Sequence, residues 1–321
     1  MEKSNPLVSV IIVNFNGIDF LKNCLSSLFE ADYQNFECII VDNNSSDESV
    51  EYVEDNFPKI KIIKLEQNMG FAKPNNIGAK KAKGEFLLFL NNDTIPKHDF
   101  ISKLIEAMNQ DPKIAICQSL LLKEDETVDS AGDFIDTLGR AYSSKKIPNR
   151  NSPILSARGA SMMIRTDIFF DLGGFDRTFF VSYEDVDLGW RTWLLGYKVH
   201  IVPNSIVYHL AGQTIKKMKQ EIQFHGYKNS LVLRLTNFEF SFALKSTFIL
   251  FFVILMRRFF KIEVIKDPKI FQFTPSMSVM FSAFYWIIKN LKYVLNKRKI
   301  VNLKRKISTK KLIEMGLITK Y

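Results

Sequence analysis

Between Leu7 and Leu120, five short apolar runs alternate with stretches of helical periodicity. Leu7–Asn14 is almost continuously β-branched, the pattern of a strand buried on both faces. Leu21, Leu25, Leu28 and Phe29 then recur at helical spacing. Further strands are expected at Phe36–Val41, Ile60–Leu65, Glu85–Leu90 and Ile114–Leu120, with helices at Ala72–Lys83 and Phe100–Met108. Pro74 falls in a first helical turn, where its missing N–H is not needed, and Gly84 closes that helix. Strands joined by helices imply right-handed crossovers and a mainly parallel sheet sandwiched by helices. The chain is therefore of the α/β class, and ligands of such sheets bind at the carboxyl ends of the strands.

Those ends are polar and rich in amides. Asn14, Phe15 and Asn16 follow the first strand, and Asp42, Asn43, Asn44, Ser45, Ser46 and Asp47 the second. Gln67, Asn68, Met69 and Gly70 follow the third, and Asn91, Asn92 and Asp93 the fourth. Turn formation and helix capping account for any one such loop. Four converging on one edge point to a binding site. The usual phosphate cradles are missing. Asn14-Phe15-Asn16-Gly17 is not a G-x-G-x-x-G loop, and no G-x-x-x-x-G-K-[ST] occurs. Diphosphate charge would then be met by a divalent ion held by few protein ligands, with Asp93 as the first. Asp42 is placed to hydrogen-bond a base or a ribose.

Beyond the fifth strand, Lys123–Pro153 reads as an irregular polar insertion, Gly159–Arg165 as a strand, and Gly173–Gly174 as a sharp turn. Glu184–Leu195 is a short helix, followed by two extended pieces, Val199–Pro203 and Ile206–His209. Glu184, Asp185 and Asp187 crowd a helix start. There they complement the helix dipole or aim one carboxylate at a substrate hydroxyl as general base. His209 is either a structural histidine or an imidazole ligand to a metal.

Charge divides the chain. Its net charge is +10, but Met1–Gln213 holds 22 basic and 29 acidic residues, whereas Thr214–Tyr321 holds 22 basic and 5 acidic. The acidic part is a poor fit to a polyanion; the basic part suits anionic lipid or nucleic acid. Phe238–Met256 and Met277–Ile288 are strongly apolar. The uncharged core of the first, Ser246–Met256, has only 11 residues, against the ~20 needed to span a bilayer. Arg257, Arg258 and Lys261 follow the first segment, and Lys289, Lys292, Lys297, Arg298 and Lys299 the second. Short apolar helices with basic flanks suit an interfacial position. The alternatives are a helical subdomain packed on the first part and a transmembrane span at Phe238–Arg257. Cys24, Cys38 and Cys117 show neither metal spacing nor a disulfide framework, which points to a reducing compartment. The opening MEKSNPLVSVIIVN lacks the features of a secretory leader.

Six ordered motifs, VSVIIVNFNG, VDNNSSDES, NMGFAKPNNIGAKKAKGEFLLFLNND, RGASMMIR, GGFDRTFFVSYEDVDLGWR and VYHLAG, together resemble the family-2 glycosyltransferases. The branch is similar to the rhamnosyltransferase-like enzymes of surface polysaccharides, and the match covers about residues 7–212. The resemblance implies a GT-A fold, with a nucleotide-binding part at about 1–119 and an acceptor part at about 120–213. Residues 214–321 then form a helical, basic, membrane-associated extension. The resemblance implies inverting transfer of a sugar from a nucleotide-diphosphate sugar to a saccharide hydroxyl; the basic, apolar tail favours a lipid-linked acceptor. The resemblance also implies a divalent metal, Mg2+ or Mn2+; the tail's composition favours a location at the inner face of the cell membrane, and no nucleic-acid partner is expected.

The resemblance assigns Asp185 as general base. Asp42, Asn14, Asn44, Asn68, Asn91 and Asn92 line the nucleotide-sugar pocket, and Asp93 with His209 hold the metal. Gly159, Ala160, Glu184, Trp190 and Arg191 fall in the motifs assigned to the acceptor side. One departure stands out: the first acid of the family's D-x-D motif is Asn91 here, leaving Asp93 as the only carboxylate of that motif.

Three other functions compete. A sugar-phosphate nucleotidyltransferase would use the same sheet and metal but wants a glycine-rich basic loop after the first strand. A non-catalytic nucleotide-sugar-binding homologue would not need both a metal acid and a base. A processive synthase would need membrane spans and a Q-x-x-R-W motif, and the motif does not occur.

Overall fold

A computed structural model describes residues 5–210, 219–260 and 275–320. Chain order is β1 (Val8–Asn14), α1 (Ile18–Phe29), β2 (Phe36–Asp42), α2 (Ser49–Asn56), β3 (Lys61–Lys64), α3 (Ala72–Ala79) and β4 (Phe86–Asn91). Then come β5 (Thr94–Pro96), α4 (Phe100–Gln110), β6 (Ile114–Leu122), β7 (Val128–Ser130), β8 (Asp133–Asp136), β9 (Ala141–Ser143) and β10 (Ser152–Pro153). They are followed by β11 (Ser161–Arg165), α5 (Thr166–Asp171), α6 (Glu184–Leu194) and β12 (Lys198–His209). The C-terminal part comprises α7 (Lys219–Asn237), α8 (Phe240–Phe260), α9 (Met277–Lys289), α10 (Leu291–Lys304), α11 (Thr309–Glu314) and β13 (Ile318–Thr319).

The main sheet runs β10-β12-β6-β11-β4-β1-β2-β3, with β5 paired to β12 and β7 to β6. β3, β2, β1 and β4 are mutually parallel, as the crossovers require. β11 is inserted antiparallel between β4 and β6, and β6 and β12 are parallel to each other. Period-two alternation sends successive side chains to opposite faces. Val8, Val10 and Ile12 pack with Leu21, Leu25 and Leu28 of α1 and Phe100 and Leu104 of α4. Ile11, Leu87 and Phe89 instead meet Phe169, Phe175, Trp190 and Trp193 on the other face. Helices thus cover both faces, and β1 is buried throughout its centre.

Three expectations change. The fourth strand's helix is shorter, ending at Ala79 rather than Lys83. Val199–Pro203 and Ile206–His209 are one strand, β12, whose pairing with β6 shifts register between Val202 and Ile206, around Pro203. Lys123–Pro153 is not an irregular surface insertion. It contributes β7 and β10 to the main sheet, and β8 and β9 form a small sheet with the late strand β13.

That small sheet ties residues near the end of the described chain back to the centre. Ile318 pairs with Ile135 and Thr319 with Asp136. α7 packs on α6, α8, α9 and α10. The expected border at 213 lies outside the described residues, and the helices beyond it are packed against the sheet-bearing part. No helix among the described residues is long and apolar enough to cross a membrane.

Candidate active site

The ends of β1 and β2 are pinned together by side chains. Asn14, almost fully buried, donates from Nδ2 to Ser45 Oγ at 3.2 Å and lies 3.5 Å from Asp42 Oδ1. Its Oδ1 accepts from Asn92 Nδ2 at 2.8 Å, which links the end of β4 to that of β1. Asp42 Oδ2 accepts the Ser45 N–H at 3.0 Å, an Asx-type turn that stops the strand. Asn16 and Asn44 hold φ of 49° and 69°, the left-handed region that asparagine tolerates. Asn43 points inward. Its Nδ2 donates to Asn68 Oδ1 and to Gly70 O, both at 2.9 Å, and its Oδ1 accepts Met69 N–H at 2.8 Å. The result is a polar, amide-lined shelf along the carboxyl edge of β1, β2 and β4.

The second cluster lies where β5, just after the end of β4, pairs with the end of β12. His209 Nε2 stands 3.4 Å from Asp93 Oδ1, and its Nδ1 is 2.9 Å from Asp129 Oδ2. β5 and β12 bring them together, with His209 in register with Thr94. Arg158 donates to Asp129 Oδ2 at 3.1 Å and to Asp133 Oδ2 at 3.2 Å. Burial pulls the His209 pKa down, but hydrogen bonds to Asp129 and Asp93 outweigh it and bring it up to about 9. Burial raises Asp129, yet His209 and Arg158 hold it at about 2.

The third part is the start of α6. Ser182 and Tyr183 both have φ of 71°. A non-glycine residue held there costs of order 1–3 kcal/mol, so the surrounding structure must impose the turn. The turn presents Glu184 and Asp185. Asp185 Oδ1 accepts its neighbour's N–H, from Val186, at 2.7 Å, and its carbonyl accepts Ser156 Oγ at 2.7 Å. Burial, then the charge of Asp133, pushes the Asp185 carboxyl above the ordinary aspartate range, while Arg158 pulls the other way. Burial, then Asp185 itself, pushes Glu184 up as well. Adjacent acids driven apart from their normal values suit a site where one carboxyl stays neutral and the other acts as base. On the opposite side of this segment, the Phe71 N–H donates to Phe180 O at 2.7 Å. Gly70, at φ 78°, lies so close that a Cβ would stand 2.1 Å from that oxygen.

A family model described as Glycosyl transferase family 2 matches residues 9–173. The chain belongs to glycosyl transferase family 2. It is 30% identical over 223 residues to the O-antigen biosynthesis protein RfbC of Myxococcus xanthus, covering 64% of this chain and 17% of that protein. It is 26% identical over 239 residues to a poly-beta-1,6-N-acetyl-D-glucosamine synthase of Staphylococcus epidermidis, covering 71% and 56%. The chain therefore spans less than two thirds of the length of either relative. A solved structure of GalNAc-T7 with UDP, GalNAc and Mn2+ superposes with a TM-score of 0.61 at 20% identity, over 72% of this chain and 48% of that one. The fold is GT-A.

Within this family-2 chain, the expected site residues fall into three groups. Asn14, Asp42, Asn68 and Asn92 lie on the amide shelf, and Asn91 closes it through its backbone: its N–H donates to Ala160 O at 3.1 Å and its carbonyl accepts Thr94 Oγ1 at 2.7 Å. Asn44 is exposed on its left-handed turn. Asp93 and His209 meet, and Asp185 shares Arg158 with their cluster.

The expected acceptor residues behave differently. Trp190 is fully buried and meets the Phe238 ring edge-on at 4.6 Å. Arg191 is buried, paired with Asp187 at 2.7 Å, and donates to the carbonyls of Leu172 and Gly174. Neither side chain, as placed, faces a surface that an acceptor could touch; both secure α6. Glu184 is also buried, and its Oε2 has no hydrogen-bond partner. Gly159 and Ala160 are buried beside the site. A Cβ on Gly159 would stand 2.6 Å from the Phe71 ring.

Sequence reasoning missed Asn43, Asp129 and Arg158. Asn43 was legible only as one amide among several after β2. Asp129 sat in a stretch read as surface, and Arg158 opens the motif RGASMMIR without any spacing that marks it as the partner of two acids.

Proposed function

We propose that this chain is an inverting, metal-assisted glycosyltransferase. It moves a sugar from a nucleotide-diphosphate donor to a hydroxyl of a saccharide acceptor in surface-glycan synthesis. One observation carries the reading: the Asp93–His209 pair and Asp185 border a single Arg158-centred cluster at the carboxyl edge of the sheet. The amide shelf of Asn14, Asp42, Asn43 and Asn68 then receives the nucleoside. Asp185 accepts the proton of the acceptor hydroxyl, and that oxygen attacks the anomeric carbon opposite the leaving diphosphate.

The donor set fits a divalent ion such as Mg2+ or Mn2+. Asp93 and His209 supply one carboxylate oxygen and one imidazole nitrogen, and Asp129 orients the ring through Nδ1. No group of three or more His, Cys, Asp or Glu side chains assembles among the described residues, so donor phosphates and water would complete the shell. When bound, the ion would stabilise negative charge on the leaving diphosphate. A proton and a metal cannot share Nε2, so loading the site requires His209 to give up its proton.

The reading extends to the membrane. α8 leaves Phe240, Leu244, Phe248 and Phe252 exposed in one stripe, with Phe248 70% exposed. α9 and α10 expose Phe281, Tyr285, Ile288, Leu295 and Leu303 in the same way. Lys245, Lys289, Lys292 and Lys299 stand exposed among them. A large exposed apolar surface with interspersed lysines suits the interface of an anionic bilayer and a lipid-linked acceptor.

A panel of UDP-, GDP- and dTDP-sugars with Mn2+ or Mg2+, assayed for nucleoside diphosphate release, tests the activity. The expected result is release with one nucleotide class and an inverted product anomer by NMR. Pyrophosphate release from a nucleoside triphosphate and a sugar phosphate would instead identify a nucleotidyltransferase.

A further inference from the structure

The transferase reading gives Asp185 its task but leaves open what holds the strained turn in front of it. Ser182 and Tyr183 are both left-handed, and no glycine relieves either. Asn229 of α7, fully buried, donates from Nδ2 to Val181 O at 3.0 Å and to Ser182 O at 2.7 Å. One residue earlier, Lys228 donates to Thr178 O and lies against the rings of Trp286 and Phe179. His225, one turn before Asn229, stacks on Phe180 with ring centroids 5.2 Å apart. The backbone of Phe180 in turn contacts Phe71 at the donor shelf.

We infer that Asn229 is a positioning residue for the general base, so that the C-terminal helices complete the active site rather than merely append to it. Its amide is the side-chain donor to the carbonyls on which the Ser182–Tyr183 turn depends. A planar amide with two N–H groups can bridge two successive carbonyl oxygens; a carboxylate of the same shape would repel both. With the donors gone, the turn relaxes from its strained conformation and Asp185 loses its aim. A displacement of about 1 Å at such a group is enough to lose 10²-fold in rate. The inference rests on the transferase reading only for the meaning of that rate.

The test compares the full-length chain with Asn229→Ala and Asn229→Asp. Hydrogen exchange at the amides of residues 181–187 is read first, then nucleoside diphosphate release with the active donor, then binding of UDP or GDP with Mn2+ by calorimetry. Faster exchange in 181–187 is expected, with kcat down about 10²-fold and with donor KM and nucleotide binding unchanged. Asn229→Asp should be at least as impaired as Asn229→Ala. Where Asn229→Ala does not fold, Asn229→Ser carries the same comparison, since its hydroxyl cannot reach both carbonyls. Unchanged exchange overturns the clamp whatever the activity. Faster exchange with wild-type kcat overturns its positioning role, as does a KM rise at constant kcat. No release from any donor by the wild type defeats the transferase reading alone, and the exchange result still decides the clamp.

Discussion

Asp185 and Asp187 stand two positions apart on the same helix and do opposite things. Asp187 is fully buried and neutralised by Arg191 at 2.7 Å and Lys297 at 2.9 Å, with Asn237 donating at 3.2 Å. Asp185 lies beside Arg158, its carboxyl held by the backbone N–H groups of Val186 and Gly159. Helical geometry makes the split: residues two apart on a helix face different sides, so one acid enters the core and the other faces the cleft. Removing the Asp187 partner should hurt the fold. Lys297→Met takes from Asp176 its ion-pair partner and leaves Asp187 with Arg191 as its only cation, and is expected to lower stability by about 3–5 kcal/mol, read as a shift in urea midpoint. A midpoint within error of wild type would mean that Arg191 alone suffices. Asp185 should instead govern pH dependence. Its carboxyl is raised by burial, so the active, ionised base accumulates only above the ~4 of an ordinary aspartate. With the divalent metal saturating, so that His209 loading does not limit, the rate should therefore climb with pH through that raised value and flatten above it. An acid limb at or below pH ~4 would contradict this placement.

At the scale of elements, most strands and helices of the first 120 residues could be read from periodicity because they are regular and buried on one or both faces; the polar α2 and the three-residue β5 could not. The candidate site was legible where it coincided with strand ends, at Asn14, Asp42 and Asp93, and at the acidic helix start that carries Asp185. Asp129 and Arg158 could not be found that way. Asp129 lies in the three-residue β7, a hairpin partner of β6, and Arg158 in the loop before β11; pieces this short carry no periodicity, and the contacts of Asp129 with Arg158 and with His209 are made only by the tertiary fold. The basic flanks show the same limit. Lys297 and Arg298 read as surface charge, yet Lys297 is paired with Asp176 and Asp187, and Arg298 donates to the carbonyls of Leu235 and Phe238. The side chains of Arg257, Arg258 and Lys261 lie outside the described residues. The apolar stripe of α8 remains a surface feature, and it makes a separate prediction. Phe248→Asp with Phe252→Asp should reduce flotation with anionic liposomes several-fold while leaving soluble-donor turnover intact. Equal flotation of the two proteins would remove α8 from any membrane contact.

For the molecule as a whole, the late helices change how its parts must be tested. Lys228, Asn229, Tyr293 and Lys297 all reach the segment that carries the base, and Thr319 pairs with Asp136. A chain cut after Gln213 loses every one of these contacts. It is expected to lose protection from hydrogen exchange across residues 176–187 and to lose turnover, so its behaviour with liposomes would not isolate membrane binding. Full protection in the truncated chain would show that residues 1–213 stand alone. The pairings among the parallel strands β3-β2-β1-β4, in contrast, all lie within the first 120 residues, with β11 as the next neighbour of β4.

The central claim is that Asp185 is the base of a sugar transfer supported by the Asp93–His209 edge. Its most direct test is turnover of the active nucleotide sugar by wild type and by Asp185→Asn, with nucleotide binding measured on both. The account predicts a fall in kcat of about 10²–10⁴-fold with binding retained. Wild-type turnover in Asp185→Asn would contradict it.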